Sequence, residues 1–205
     1  MTDAGAGPGG RDQPARPARP DESAGPGSGP GLAATRGPAV LALGSNLGDR
    51  EATLRAAVAL LDRRLGVLAV SPVYETVPVG GPEQDDYLNA VLLTRPAPVR
   101  ELLAAGREAE QAADRVRIVR WGPRTLDVDV IACGPVVSDD PEILVPHPRA
   151  HLRAFVCVPW LEVAPDAVIP GHGRVADLVA GLAAAGETAG LHRTTLDLGE
   201  GLALG

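Results

Sequence analysis

The segment that most constrains the fold of this chain is residues 124–133, where apolar side chains alternate with two aspartates. Alternation at every second residue predicts a β-strand, because side chains two apart on a strand share one face. The apolar side chains that would point into a core are those of Leu126, Val128 and Val130. Asp127 and Asp129 would then lie on the opposite face, about 7 Å apart along the strand. The segment therefore predicts a sheet that buries one face and carries two carboxylates on the other.

The remaining apolar patterns predict the other elements of an α+β domain. Short apolar runs predict strands at residues 39–43, 67–74 and 87–94. Helical spacing predicts a helix capped by Asp49, a helix opened by Pro98 and a last helix over residues 174–185. The order is strand, helix, strand, strand, helix, strand and helix. This order favours a ferredoxin-like (split βαβ) sheet with helices packed on its faces, in a single domain.

The composition separates that domain from two tails. Gly and Pro supply 16 of the first 38 residues, and no apolar periodicity is present there. Such a segment cannot bury enough surface to offset its chain entropy, so we expect residues 1–38 to be disordered. Hydrophobic residues make up 45% of the chain, enough for a core over residues 39–185. Residues 186–205 return to Gly, Thr and Ala, and we expect a poorly ordered tail.

The basic residues exclude several classes of enzyme. All 19 cationic residues are arginine, and the chain has no lysine. P-loop nucleotide-binding proteins, Schiff-base enzymes and the lysine-dependent protein kinases all need a lysine at the site. A phosphate would therefore have to be bound by arginine, backbone N–H groups, histidine or metal.

The overall charge and the cysteines bear on partners and compartment. A net charge of −7 argues against a nucleic-acid partner. No apolar run reaches the roughly 18 residues of a membrane helix, and no signal-peptide pattern is present. Cys133 and Cys157 show no CxxC pairing, which favours buried thiols in a reducing compartment. We expect a cytoplasmic monomer with no membrane partner.

An arginine cluster immediately precedes the aspartate pair and changes how that pair is interpreted. Its members are Arg115, Arg117, Arg120 and Arg124, with no acid among them. Two ionised carboxylates this close need a compensating cation, and oxygen ligands favour Mg²⁺. A metal beside arginine forks suits a nucleoside triphosphate, and Trp121 offers a flat surface to a base or heterocycle. The alternatives are a solvent-exposed strand face and a solvated basic loop.

Two further elements carry weaker signals. Tyr87 and Asn89 share one face of a predicted strand, where the amide could pair with the edge of a heterocycle, although polar decoration of a strand is commoner. His147 and His151 are four residues apart, but Pro148 intervenes and no third ligand is evident, which disfavours structural zinc.

Taken in order, these segments resemble the 6-hydroxymethyl-7,8-dihydropterin pyrophosphokinase family of folate biosynthesis. The resemblance covers about residues 39–182. The run RWGPRTLDVD at residues 120–129 is highly specific, whereas the other landmarks are each weak alone. Those landmarks are LGSNLG at residues 43–48, YET at 74–76, DYLNA at 86–90, RVR at 115–117, VPH at 145–147 and PWLEVAP at 159–165.

The resemblance implies an activity and its requirements. The enzyme would transfer pyrophosphate from ATP, its co-substrate, to the hydroxymethyl oxygen of 6-hydroxymethyl-7,8-dihydropterin and release AMP. Attack on the β-phosphorus would be direct and in line, with two Mg²⁺ ions and no covalent enzyme intermediate. Loops at residues 77–86 and 115–122 would close over both substrates and exclude water.

The resemblance also implies roles for individual residues. Asp127 and Asp129 would bind both metals, and Arg115 and Arg124 would be the catalytic arginines on the phosphates. ATP would be held by Glu110, Arg117, Arg120, Trp121, His147 and Arg153. The pterin pocket would be formed by Thr76, Val77, Val79, Tyr87, Asn89, Trp121 and Phe155.

Two other functions are compatible with parts of the pattern. A metal-dependent glycosyltransferase also uses paired aspartates, but the arginine cluster and the small α+β architecture disfavour it. A ligand-binding module that retained the pocket without turnover is the alternative outside enzymes. The complete set of two aspartates and two arginines argues against that module, and the acidic balance argues against a nucleic-acid module.

Overall fold

The computed structural model describes residues 37–78, 84–113 and 124–202. The strands are β1 (Ala39–Ser45), β2 (Val67–Val70), β3 (Tyr74–Thr76), β4 (Tyr87–Thr94), β5 (Asp127–Cys133), β6 (Val168–Ile169), β7 (Gly173–Arg174) and β8 (Leu191–Arg193). The helices are α1 (Arg50–Leu65), α2 (Val99–Ala112), α3 (Ala154–Val163) and α4 (Val175–Ala184), with a 3₁₀ turn at Ala150–Leu152. The predicted first cap is confirmed, since the Asp49 carboxylate accepts from the Ala52 N–H at 3.0 Å.

The main sheet is antiparallel and has the predicted split βαβ order. β1 pairs with β4 on one side and with β5 on the other. β2 and β3 both pair with β4, and β8 pairs with β3 at the edge. Because β1 and β2 are each antiparallel to β4, they are parallel to each other with β4 between them. This arrangement confirms the α+β, ferredoxin-like prediction.

The first face of the sheet packs against α1 and α2. β1 and β4 contribute buried leucines to this layer, and both helices direct their apolar stripes into it. The largest fully buried side chains here are Leu41, Leu43, Leu54, Leu61, Leu92, Leu102 and Leu126. α2 lies close to β5, since a β-carbon on Gly106 would be 3.2 Å from Val128 Cγ1. The apolar side of β5 therefore faces this core, as its alternation predicts.

Among the described residues, helices cover only part of the second face, and the remaining part carries the cavity described below. α3 and α4 pack Cys157, Trp160 and Val175 against the sheet. Ile131 of β5 is fully buried under that layer. The Asp127 and Asp129 side chains, on the same face of the strand, remain 23% and 33% exposed. The helical layer thus ends beside the two aspartates.

Two local differences from the predicted elements have clear physical causes. The predicted strand at residues 67–74 is two short strands, interrupted by Pro72, which has no N–H for a ladder. Ser71 fills the gap, because its N–H donates to the Val91 carbonyl and its hydroxyl accepts from the Val91 N–H. α3 was not predicted, because it is apolar except for Glu162 and contains Pro159, and therefore lacks the one-sided pattern of a surface helix.

The C-terminal residues also differ from the prediction. Residues 186–202 pack on the domain instead of forming the poorly ordered tail that their composition predicts. β8 adds to the sheet beside β3, and Leu198 is only 3% exposed against the α1 side. A few spaced leucines suffice to anchor a segment that lacks periodicity. Residues 1–36 lie outside the described part of the chain. Within the described ranges, no helix combines the length and the apolar character needed to cross a bilayer.

Candidate active site

A cavity of about 380 Å³ opens on the uncovered part of the second sheet face. β1, β4 and β5 form its floor, and the turn before α3 forms one wall. The predicted site residues that line it are Thr76, Val77, Tyr87, Asn89, Arg124, Asp127, Asp129, Arg153 and Phe155. Residues from three strands, three loops and α3 therefore converge on one concave surface of ligand-binding size.

One end of the cavity is strongly charged. Arg124 forms an ion pair with Asp127 through a hydrogen bond from Nη1 to Oδ2. Arg153 donates from Nη1 to Asp129 Oδ2 at 3.1 Å. His147 Nε2 lies 3.8 Å from the same carboxylate oxygen. Two carboxylates and two guanidinium forks therefore share this end, which we call the charged end.

His147 is positioned as a neutral ring at the charged end. Burial lowers the pKa of His147 below its ordinary value, and the Asp129 carboxylate only partly opposes this effect. His147 Nδ1 accepts from the Arg149 backbone N–H at 3.1 Å. The proton of the neutral imidazole is thereby assigned to Nε2, which faces Asp129.

Glu110 lies behind the two aspartates, on the other face of the strand. Its carboxylate accepts from the Val128 backbone N–H at 3.0 Å, at the residue between Asp127 and Asp129. Glu110 is not among the residues that line the cavity. Its observed contact holds the strand that presents the aspartates.

A second group of lining residues is uncharged, and we call this part of the cavity the heterocycle end, after the ligand that the sequence predicts for it. Asn89 Nδ2 donates to Thr76 Oγ1 at 2.7 Å between neighbouring strands. The Tyr87 hydroxyl donates to Gln84 Oε1 at 3.2 Å. Burial raises the pKa of Tyr87, and this phenol therefore remains a neutral donor. The Arg153 guanidinium lies 5.6 Å from the centroid of the Phe155 ring, next to this end.

Five of the predicted site residues lie outside the described part of the chain. They are Val79, Arg115, Arg117, Arg120 and Trp121. The predicted loops at residues 77–86 and 115–122 fall largely in the same gaps.

Asn46 is a site residue for which the sequence analysis assigned no role. Its side chain is 1% exposed, and its Oδ1 accepts from the Arg124 backbone N–H at 2.8 Å. Its Nδ2 donates to Gln84 Oε1 and to the Asp85 carbonyl, both at 3.0 Å. The signal in the sequence is the polar pair Ser45 and Asn46, which follows the apolar run at residues 39–43 and Gly44.

The comparison with protein families identifies this arrangement. The family model described as 7,8-dihydro-6-hydroxymethylpterin-pyrophosphokinase (HPPK) matches residues 40–165, which include both ends of the cavity. The chain belongs to the HPPK family. The matched residues end before the C-terminal segment, so the part of the cavity wall formed by Gly186, Glu187, Gly190 and Leu191 lies outside the family match.

Individual relatives agree with the family assignment. A 2-amino-4-hydroxy-6-hydroxymethyldihydropteridine pyrophosphokinase of Mycobacterium leprae is 48% identical over 147 residues, covering 66% of this chain and 76% of that protein. The Bacillus subtilis protein of the same name is 44% identical over 128 residues, covering 61% and 77%.

Solved structures share the fold at much lower sequence identity. The crystal structure of an HPPK–DHPS in complex with substrates superposes with a TM-score of 0.60 at 11% identity, over 78% of this chain and 46% of that one. The Plasmodium falciparum HPPK–DHPS gives a TM-score of 0.55 at 13% identity, over 77% of this chain and 47% of that one. At these identities the likeness concerns the HPPK fold.

Proposed function

We propose that this chain transfers the pyrophosphoryl group of ATP to 6-hydroxymethyl-7,8-dihydropterin, giving the pterin diphosphate and AMP in folate biosynthesis. Membership in the HPPK family supports this reaction. One observation supports the proposal that the reaction takes place in the cavity. Two carboxylates and two arginines share the charged end of a cavity whose other end offers an amide, a phenol and a phenyl ring. A polyphosphate suits the first end, and a flat heterocycle suits the second.

The donor set at the charged end fits magnesium. Mg²⁺ is commonly bound by one or two carboxylates together with substrate phosphate oxygens. Asp127 and Asp129 supply two partly exposed carboxylates on one strand face. No group of three or more His, Cys, Asp or Glu side chains suited to a metal occurs within the described ranges. We therefore propose that Asp127 and Asp129 hold Mg²⁺ together with ATP. The family resemblance implies two ions. The metal would neutralise the charge of the phosphates.

The arginines would position and neutralise the transferred group. In the proposed reaction the pterin hydroxymethyl oxygen attacks the β-phosphorus in line, its bond to phosphorus forms, and the bond to the α-phosphate oxygen breaks to release AMP. Arg124 and Arg153 each pair with a carboxylate of the charged end, so their guanidinium groups lie where phosphate oxygens would enter. His147, as a neutral Nε2–H donor, would contribute one more hydrogen bond there. Arg115, Arg117 and Arg120 would complete the ATP site from the loop, with Trp121 beside them.

The heterocycle end would orient the pterin. Asn89 presents an amide with both donor and acceptor capacity, which suits the amide-like edge of a pterin. The amide is held by Thr76 at 2.7 Å, so its orientation is set before the ligand binds. Phe155 would supply one flat surface for the ring, and Trp121 the other. Tyr87, Val77 and Val79 would line the remaining edge.

The reaction is tested by product analysis. The purified chain is incubated with Mg²⁺, ATP and 6-hydroxymethyl-7,8-dihydropterin, and nucleotides are separated by chromatography. We expect AMP and the pterin diphosphate in equal amounts, and only when metal and pterin are both present. Formation of ADP would mean transfer of a single phosphoryl group, and absence of AMP from the folded protein would contradict the proposal.

The metal assignment gives a sharper prediction. Replacing Asp129 by Asn keeps the size of the side chain and removes its charge, so kcat should fall by about 10²–10³-fold. The same loss is expected for Asp127→Asn, measured as AMP formation over a range of Mg²⁺ concentrations. Asp139→Asn, at an exposed aspartate away from the cavity, is the matched control and should retain activity. Full activity in either cavity variant would exclude that carboxylate as a metal ligand.

A further inference from the structure

The C-terminal segment, residues 186–202, forms one wall of the cavity although it lies beyond the residues matched by the family model. Gly186, Glu187, Gly190 and Leu191 all line the cavity. We propose that Gly190 is a specificity-determining residue, which sets the position of Val77 and thereby the width of the heterocycle end. The inference rests on the proposed function, because it takes the pterin as the ligand of that end.

Gly190 is in close contact with Val77. A β-carbon at Gly190 would lie 3.2 Å from Val77 Cγ2, closer than an ordinary van der Waals contact. The next residue, Leu191, pairs with Thr76 in the β3–β8 register. Gly190 therefore lies across from Val77, the residue after Thr76. Thr76 is also the residue whose hydroxyl accepts from Asn89. Any side chain at position 190 must move Val77 or be moved by it.

The C-terminal segment is anchored on both sides of Gly190, so it cannot easily retreat. On one side the Glu187 N–H donates to the Leu182 carbonyl at 2.9 Å. On the other side the Thr194 N–H and hydroxyl both donate to the Val73 carbonyl, at 2.9 and 3.0 Å. Farther along, Leu198 is buried in the core beside α1. The strain of a larger residue at 190 therefore falls on Val77.

Val77 is the partner able to move. Val77 is 55% exposed and borders the cavity, so its displacement changes the shape of the heterocycle end. Among the described residues, Asp127, Asp129 and Arg153 of the charged end have no atom within 4 Å of a β-carbon at Gly190. A side chain at 190 should therefore weaken binding of the heterocycle and leave ATP binding unchanged. The absence of a side chain at this position keeps the heterocycle end wide enough for a bicyclic ring.

The test uses the full chain and separates the two substrates. Gly190→Leu should raise the KM for the pterin by about tenfold, which corresponds to about 1.4 kcal/mol of binding free energy. The KM for ATP and kcat should remain within about twofold, as expected where only ground-state binding of one substrate is lost. Gly190→Ala should give a smaller rise. Gly181→Ala is the matched control, since a β-carbon there has nothing within 4 Å.

A double-mutant cycle tests the contact between Gly190 and Val77 directly. In a Val77→Ala background the space opposite position 190 is open, so Gly190→Ala should no longer raise the pterin KM. Pterin affinity, measured by calorimetry with a non-hydrolysable ATP analogue, gives a second readout that does not need turnover. Unchanged pterin affinity in Gly190→Leu, or equal effects in both Val77 backgrounds, would overturn the role of Gly190. A wild-type chain that binds pterin but forms no AMP would contradict the proposed reaction alone.

Discussion

The buried amide of Asn46 connects the two ends of the site through hydrogen bonds. It accepts from the Arg124 backbone N–H and donates to Gln84, whose carbonyl oxygen also accepts from Tyr87. Arg124 belongs to the charged end and Tyr87 to the heterocycle end. A single side chain therefore sets the relative placement of groups proposed to bind different substrates, and it is not itself among the residues that line the cavity.

Removal of this amide should affect both stability and catalysis. Asn46→Ala removes the acceptor of the part-buried Arg124 N–H and one donor to the Asp85 carbonyl, which should cost about 1–3 kcal/mol of the free energy of unfolding. The same change should lower kcat/KM for both substrates, because Arg124 and the residues near Gln84 lose their common anchor. Urea unfolding and steady-state kinetics measure the two effects.

The control for Asn46 is an amide that makes no buried contact. Gln111 is exposed on α2, so Gln111→Ala should leave both measurements unchanged. If Asn46→Ala behaves like the control, the hydrogen bonds of Asn46 contribute nothing measurable to the site.

The secondary-structure elements differ in how tightly they pack, and two helix glycines show the contrast. Gly106 on α2 faces β5, where a β-carbon would lie 3.2 Å from Val128 Cγ1 and 3.6 Å from the Val128 carbonyl oxygen. Gly181 on α4 has nothing within 4 Å of the same position. Gly106 therefore permits the close approach of α2 to β5, whereas a β-carbon at Gly181 would meet no other residue.

Substitutions at these two glycines should therefore have opposite signs. Gly106→Leu should destabilise the fold by about 1–3 kcal/mol, because overpacking pushes α2 away from the strand that carries Asp127 and Asp129. Gly181→Ala should stabilise it by about 0.5–1 kcal/mol through helix propensity alone. Both changes in stability are measured from the midpoints of chemical denaturation, provided that the dependence of the unfolding free energy on denaturant concentration is the same in each variant. A stabilising Gly106→Leu would show that the α2–β5 contact can relax freely.

At the scale of the whole molecule, the described residues form two cores separated by the main sheet, and each of these cores contains one cysteine. Cys133 belongs to the core beside α1 and α2, and Cys157 to the core beneath α3 and α4. Both thiols are fully buried and free. Burial raises the pKa of Cys133 to about 12 and that of Cys157 to about 11. Each thiol therefore reports on the opening of its own core.

Native thiol reactivity should accordingly be very slow. Because a raised pKa reduces the thiolate fraction, neither cysteine should react with Ellman's reagent at pH 8, and reactivity should rise only as the pH approaches 11. In denaturing guanidinium both should react at once. The variants Cys133→Ala and Cys157→Ala separate the two cores, and the remaining thiol then gives the rate at which its core opens. Rapid reaction of a native thiol would contradict the buried placement.

Local patterns in the chain were enough to predict the strands β1, β4 and β5, three of the helices and the split βαβ order. In these elements the apolar residues recur with the period of a strand or of a helix. Those periods are set by local backbone geometry and can therefore be recognised in the sequence. The run at residues 120–129 was specific enough to indicate the family, which the comparisons confirm. The position of the Asp127 and Asp129 side chains on the same face of β5 also followed from the two-residue period of a strand alone.

Other features depended on contacts between residues distant in sequence, which no local pattern records. α3 is apolar except for Glu162, because most of it packs between the sheet and α4, so its sequence carries no periodic signal. Asn46 gained its role only when strand pairing brought residues 84 and 124 to it, and Gly190 gained its own when β8 joined β3. Burial and hydrogen bonding across the sheet assign these roles, because their strength depends on distance in space and not on separation along the chain.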